Sequence, residues 1–220
     1  MKIIEENYKW ARTNWTIQKP NTIDVHHALS PNCTAQDVHR WHLDRGWKGI
    51  AYHYFIRKDG SIYRGRQENH EGGGLQGSEN KNKIEICLEG CYTDYVVNGK
   101  VLTEKVVPQA QLDALIWLVN DIKKRWTIEA VKRHADYPSA KKEGKDCPGK
   151  YFPWSRFIES LEDRNLFNDI QGHYAEKYIK TVSEAGLMVG DGNGNFEPDR
   201  PLTRAQLAIV LCKALNLPVE

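Results

Sequence analysis

The chain has 220 residues, 40% apolar and 27% charged, with a formal net charge of +2. That length and balance suit one large domain, or a medium domain with a small companion, and exclude a disordered or collagen-like chain. The charge is too small and too scattered to argue for nucleic acid, and the longest apolar run, residues 114–119, is far too short to cross a bilayer.

Residues 1–20 are aromatic and basic (Tyr8, Trp10, Trp15) and yield no firm element. Met1 to Asn7 carries two glutamates where a signal peptide would have its apolar stretch, so no export signal is expected. Residues 23–27 read as a short buried strand ending in His26 and His27, which alternate faces; His26 is the one assigned to a site. Thr34 followed by Asp37 has the form of a helix N-cap with its N3 acid, opening a helix through about Arg45. His39 and His42 fall three apart on that helix and read as a partly buried face pair. Residues 51–57, the turn Lys58-Asp59-Gly60-Ser61 and the return Ile62-Tyr63-Arg64 form a hairpin. His53 alternates away from Tyr52 and reads as a packed histidine.

Four glycines in residues 69–78 predict a surface loop, and residues 83–89 another strand. Pro108 opens a long helix with Leu112, Leu115, Ile116, Val119 and Ile122 on one face, ending near Trp126 behind Lys123, Lys124 and Arg125. A strand over 130–133 delivers His134, and residues 154–161 give a closing helix. Strands alternating with helices, plus a hairpin, predict an α/β domain: a mixed central sheet flanked by helices.

After Asp163 the texture changes to two helices, about 175–185 and 203–215, around the turn cluster Gly190–Asn195. Asp191 to Asn195 imitates the start of a calcium loop, but Phe196 and Leu202 stand where that loop needs Gly and Glu. Two helices in about 50 residues make a very small all-α core. The expected domains are therefore 1–162 and 163–220. Their charges differ: from 161 onwards six Lys/Arg face nine Asp/Glu (net −3), leaving 25 against 20 (net +5) in the first 160 residues.

Five cysteines at 33, 87, 91, 147 and 212 are odd in number and scattered, which fits a reducing cytosol. Cys87, in the alternation Ile84-Ile86-Leu88, reads as a small core residue. Cys147 is different, because Lys145-Asp146-Cys147-Pro148 follows the Arg133-His134 pair across a polar loop. His26, His134 and Cys147 together would offer two nitrogens and a sulfur to one zinc ion, leaving its fourth position open, as catalytic zinc requires. Lys145 and Tyr52 are the candidate donors to a developing oxyanion. Alone, Lys145 would be a solvated loop charge beside Lys141 and Lys142.

Taken in order, Val25-His26-His27, the run from Gly46 to His53, Lys58-Asp59-Gly60 with Tyr63-Arg64-Gly65-Arg66, Arg133-His134 and Lys145–Pro148 resemble the type 2 N-acetylmuramoyl-L-alanine amidases. That family includes amidase-type phage lysozymes and peptidoglycan recognition proteins. The resemblance implies a peptidoglycan recognition protein-like fold and one zinc held by His26, His134 and Cys147. It further implies catalytic assistance from Tyr52 and Lys145, and cleavage of the muramoyl–L-alanine bond of peptidoglycan. Some members place a glutamate where this chain has Cys87, which implies the version relying on tyrosine and lysine.

Residues 165–220 resemble a single S-layer homology motif, through Phe167–Ile170, His173-Tyr174-Ala175, Gly190-Asp191-Gly192, Phe196–Asp199 and Leu202–Gln206. The motif implies a secondary wall polysaccharide as partner, with Arg204 the candidate anion contact, or self-association that assembles the missing copies. Hydrolase followed by wall binder, without an export signal, resembles a phage endolysin held in the host cytoplasm until lysis. A bacterial autolysin and a non-catalytic peptidoglycan-binding module are the alternatives.

Overall fold

The computed structural model describes residues 1–161 and 167–218. Two compact units divide the chain, Met1–Leu161 and Glu162–Glu220. The expected boundary at 162/163 lies outside the described residues.

The first unit is built on a six-stranded sheet, with strands β1 (Ile3–Ile4), β2 (Thr22–His27), β3 (Tyr54–Ile56), β4 (Ile62–Arg64), β5 (Lys83–Leu88) and β8 (Ala130–Arg133), in the order β1-β4-β3-β5-β2-β8. Only the β3/β4 hairpin pair is antiparallel; the rest are parallel, so the sheet is mixed and flanked by helices as its sequence predicts. A separate two-stranded ribbon pairs β6 (Val96–Val97) with β7 (Lys100–Val101).

Alternation along the strands sorts side chains between two helical layers. Ile23 and Val25 of β2, with Ile84, Ile86 and Leu88 of β5, join Leu112, Leu115, Leu118 and Val119 of α2 (Gln109–Lys123) and Phe157 of α4 (Trp154–Leu161) in the main core. On the other face, Phe55 and Cys87 pack with Ile50 and with Ala35 and Val38 of α1 (Ala35–Asp44). Thr34 caps α1 in a reciprocal box with Asp37. The short α3 (Pro138–Lys142) follows β8.

His39 and His42 are buried rather than partly exposed. Their Nδ1 atoms accept the main-chain N–H of Ile50 at 3.1 Å and of Ala51 at 3.0 Å, tying α1 to the approach to β3. His53 is packed as expected, with Nδ1 accepting from the N–H of Glu85.

The second unit holds α5 (Glu176–Glu184) and α6 (Arg204–Ala214), with a core of Phe167, Ile170 and Ile179 backed by Ala175 and Phe196. Thr203 caps α6 through a box with Gln206. No residue of α6 is buried. Asp191 and Asp169 spend their carboxylates on local main-chain N–H groups, the former on Asn193 and Asn195, the latter on Phe196 and Glu197, which suits a turn and leaves no calcium cradle.

Candidate active site

The register of β2 decides what its last residues face. His26 pairs with Cys87 and stands on the face shared with Asp24, Glu85 and Cys87, away from the α2 layer. β8 lies alongside β2 and ends at Arg133, so His134 begins a tight 3₁₀ turn beside His26. The loop after α3 returns Cys147 to the same point, where the Ala135 N–H donates to the Cys147 carbonyl at 2.9 Å.

His26, His134 and Cys147 thus converge, with one ligand atom from each lying within 4.8 Å of the others, and all three residues are buried. The two Nδ1 atoms of His26 and His134 are 3.1 Å apart. A tetrahedral ion with metal–nitrogen bonds near 2.0–2.1 Å would set two such nitrogens about 3.3 Å apart, so the imidazole pair fits zinc.

Electrostatics favour neutral imidazoles, the form a metal needs. Burial lowers the pKa of His26 well below the usual histidine range, helped by neighbouring His134, and burial lowers His134 to about 4. Burial pushes the Cys147 thiol up to about 12, countered in part by the N–H of His27, which donates to its sulfur. A thiolate there requires a cation, and a coordinated metal supplies one.

Tyr52 stands beside this trio, its ring 5.1 Å from that of His26. Burial raises its pKa far above the ordinary phenol value, so it remains a donor. Lys145 lies at the mouth, half-exposed, its ammonium 2.5 Å from a Glu143 carboxylate oxygen. Both side chains line a cleft of about 740 Å³ with Trp41, Arg45, Trp47 and Tyr95.

The glycine-rich stretch is more than a surface loop. Glu85, fully buried on β5, accepts the N–H of Gly74 at 2.6 Å and of Gly73 at 3.4 Å. A Cβ on Gly74 would fall 2.5 Å from Glu85 Oε2 and 2.8 Å from Tyr52 Cε1. The loop lies flat on a carboxylate and against the tyrosine ring, which only residues without a side chain permit. The sequence signal was a charge inside an apolar alternation, Ile84-Glu85-Ile86. Beside it on β2, Asp24 accepts from Tyr137 Oη at 2.6 Å while its Oδ2 has no hydrogen-bond partner among the described residues.

Residues 16–150 match the family described as N-acetylmuramoyl-L-alanine amidase. The chain belongs to that family. Residues 166–208 of this amidase match the S-layer homology domain. Among solved structures it is similar to N-acetylmuramoyl-L-alanine amidase LysC from Clostridium intestinale URNW, 36% identical, covering 73% of this chain and 97% of that one with a TM-score of 0.61. Among curated proteins it is similar to an endolysin of Klebsiella phage KP32, 29% identical over 127 residues, 58% of this chain and 76% of the relative. A likeness to Drosophila PGRP-LB, 20% identical with a TM-score of 0.55 over 74% of this chain and 94% of that one, is one of fold.

Arg204 is exposed at the first position of α6 and makes no ion pair among the described residues.

Proposed function

We propose that the first unit hydrolyses the amide bond between the lactyl group of N-acetylmuramic acid and L-alanine in peptidoglycan, with one zinc ion held by His26, His134 and Cys147. The observation that carries this is the convergence of those three side chains, from β2, the end of β8 and a distant loop, beside a cleft that His134 and Cys147 line. Bound zinc would supply a Lewis acid and a water acidified towards neutrality.

The chain's own groups supply the rest. The phenol of Tyr52, kept protonated by burial, donates to the oxygen on which charge develops. Lys145 brings positive charge to the same mouth, restrained by Glu143. His27 steadies the Cys147 sulfur from its main chain while its ring Nδ1 accepts from the N–H of Tyr92, so the ring is kept from the ligand set. Trp41 and Trp47 offer flat apolar faces to sugar or peptide.

The second unit binds wall polysaccharide, with Arg204 as an anion contact, and its uncovered α6 favours association between chains. As a whole the protein acts as a phage endolysin, held in the host cytoplasm and released onto the wall at lysis. Two domains so divided form the unit of function: a hydrolase over 1–162 and a wall binder over 163–220.

Digestion of purified walls followed by mass spectrometry tests the reaction. Free lactyl carboxyl groups on muramic acid are expected, with loss of activity on chelation and recovery with zinc. New peptide termini within the stem, or glycan cleavage, would overturn the reading. Cell walls stripped of secondary polysaccharide should retain less of the full chain than intact walls, and Arg204→Ala should lessen the difference.

A further inference from the structure

A hydrogen-bond donor beside a reacting centre has to be held still, and the main chain of Tyr52 is: its carbonyl accepts the Arg66 N–H at 3.0 Å. The ring is a separate matter. It meets the His26 and His42 rings, at 5.1 and 5.6 Å between centroids, and Gly74, which lines the cleft with it. Gly74 approaches so closely that a Cβ there would fall 2.8 Å from Tyr52 Cε1. A glycine has no side chain with which to grip a ring, so the ring's place depends on what holds the loop.

Glu85 holds it. The residue is 0% exposed, and its Oε2 accepts the Gly74 N–H at 2.6 Å. Its main chain exchanges two hydrogen bonds with the residue after Tyr52: the Glu85 N–H donates to His53 Nδ1 and the His53 N–H to the Glu85 carbonyl, both at 2.9 Å. His53 Nε2 in turn lies 2.7 Å from the carbonyl of His70, near the start of the loop. Successive glycines wrap the carboxyl. A Cβ on Gly72 would meet Oε1 at 2.6 Å and one on Gly74 would meet Oε2 at 2.5 Å, while one on Gly73 would meet the Arg66 guanidinium at 3.1 Å. Beyond them Asn80 closes the loop, accepting the Leu75 N–H at 2.9 Å and donating to the Leu75 carbonyl at 3.1 Å. A buried acid is costly unless its oxygens are used, and Oε1 has no hydrogen-bond partner among the described residues. The bond to Gly74 is thus the main interaction that offsets an acid here. With burial and Asp24 raising its pKa to about 8, the carboxyl is neutral at neutral pH and accepts through its carbonyl oxygen, as an amide would.

We propose that Glu85 is a positioning residue for the amide hydrolysis: it clamps Gly73 and Gly74 against the edge of the Tyr52 ring and so fixes the phenol oxygen relative to the candidate zinc ligands. Tyr52 does the donating. Glu85, which does not line the cleft, acts only through it. A donor aimed at developing charge loses much of its effect when displaced by about 1 Å, so the clamp acts on the transition state more than on substrate binding. Without the carboxyl, the Gly74 N–H loses its acceptor and the loop is freed from the ring.

The inference rests on the amidase reading with Tyr52 as donor, and the tests keep the two apart. Initial rates on a soluble muramoyl-peptide are measured for the zinc-loaded full chain and for Glu85→Gln and Glu85→Met, each alone and combined with Tyr52→Phe. Glutamine keeps the accepting oxygen; methionine keeps the bulk without it. Glu85→Met should lower kcat about tenfold with KM and zinc content within about twofold of wild type, and Glu85→Gln should hold kcat within about twofold. In the Tyr52→Phe background, Glu85→Met should lower kcat by less than about twofold further. Equal losses in the two backgrounds, or a rise in KM at constant kcat, overturn the proposal. So does a Glu85→Gln variant as impaired as Glu85→Met, or a Tyr52→Phe variant with wild-type kcat. Should Glu85→Met fail to fold, Gly74→Ala disturbs the clamp from the loop side, and its cycle with Tyr52→Phe decides by the same criteria. Absence of turnover by wild type would instead strike the amidase reading. The ring signals of Tyr52 in isotope-labelled protein, assigned by their loss in Tyr52→Phe, would still decide the clamp: a shift in Glu85→Met but not in Glu85→Gln supports it, and unmoved signals in both overturn it.

Discussion

The main-chain N–H of His27 donates to the sulfur of Cys147 at 3.3 Å, joining residues 120 apart in the sequence. β2 thereby presents His26 as a candidate ligand by its side chain and supports the Cys147 sulfur by the next residue's backbone. Replacing that sulfur by a hydroxyl removes the soft donor without removing bulk. Cys147→Ser is expected to abolish turnover and to leave less than stoichiometric zinc, by elemental analysis, while the far-ultraviolet circular dichroism stays native. Full turnover in that variant would remove the zinc assignment.

Tyr52 is kept as a phenol by burial and lies beside the His26 ring. Tyr52→Phe keeps the ring packing and deletes only the donor. A loss of about 10²-fold in kcat, with KM and zinc content near wild type, is expected if the hydroxyl meets charge in the transition state alone. A change in KM with unaltered kcat would move Tyr52 into substrate binding.

Much of this was legible in the sequence where the cause is local. The Thr34–Asp37 box, Pro108 before α2 and the strand over 130–133 depend on neighbouring residues, and they fall where expected. Ile3–Ile4 was not legible, because two residues become a strand only by pairing in parallel with Ile62 and Tyr63. The ribbon around Asn98-Gly99 was missed despite its turn dipeptide, since its flanks are exposed and show little apolar alternation. The three candidate ligand residues are legible by type and order, but their meeting depends on parallel pairing of β2 with β5 and β8. The loop at Gly72–Gly74 reads as solvent-exposed because the carboxylate beneath it belongs to β5, and only the fold brings the two together.

That carboxylate has a thermodynamic consequence. Burial, reinforced by Asp24, raises the Glu85 pKa to about 8. The folded state therefore holds a proton that the unfolded chain releases in the ordinary carboxylate range. Stability is full below that range and declines as pH rises towards about 8, where the loss levels off. Glu85→Gln cannot lose the proton. Urea unfolding at pH 5.5 and 8.5 should show wild type losing more stability than the variant over that interval, by about 3 kcal/mol. Parallel losses in the two proteins would mean that Glu85 titrates normally.

Gly74 tests the same contact sterically. A methyl group there meets Glu85 Oε2 at 2.5 Å and Tyr52 Cε1 at 2.8 Å, so Gly74→Ala must displace the loop, the carboxylate or the ring. Thermal unfolding should register about 1–3 kcal/mol of destabilisation, and kcat should fall as Tyr52 shifts. Gly144→Ala is the control: it has open space around it and a positive φ, so it incurs backbone strain without touching Tyr52. Equal effects on kcat from both would assign the loss to loop strain in general.

The second unit poses a different question, because α6 is apolar without a buried side. Leu207, Ile209 and Leu211 are each 46–58% exposed, and Tyr178 on α5 is exposed as well. A helix that is hydrophobic all round is stable in water only when something covers it. If the cover is another copy of the chain, sedimentation should show association that rises with protein concentration. Leu207→Glu with Leu211→Glu should hold the chain monomeric and leave kcat on a soluble muramoyl-peptide unchanged, because the amidase site belongs to the first unit. A wild type that stays monomeric at all concentrations would leave wall polymer as the cover, and retention on intact walls should then fall in the double variant.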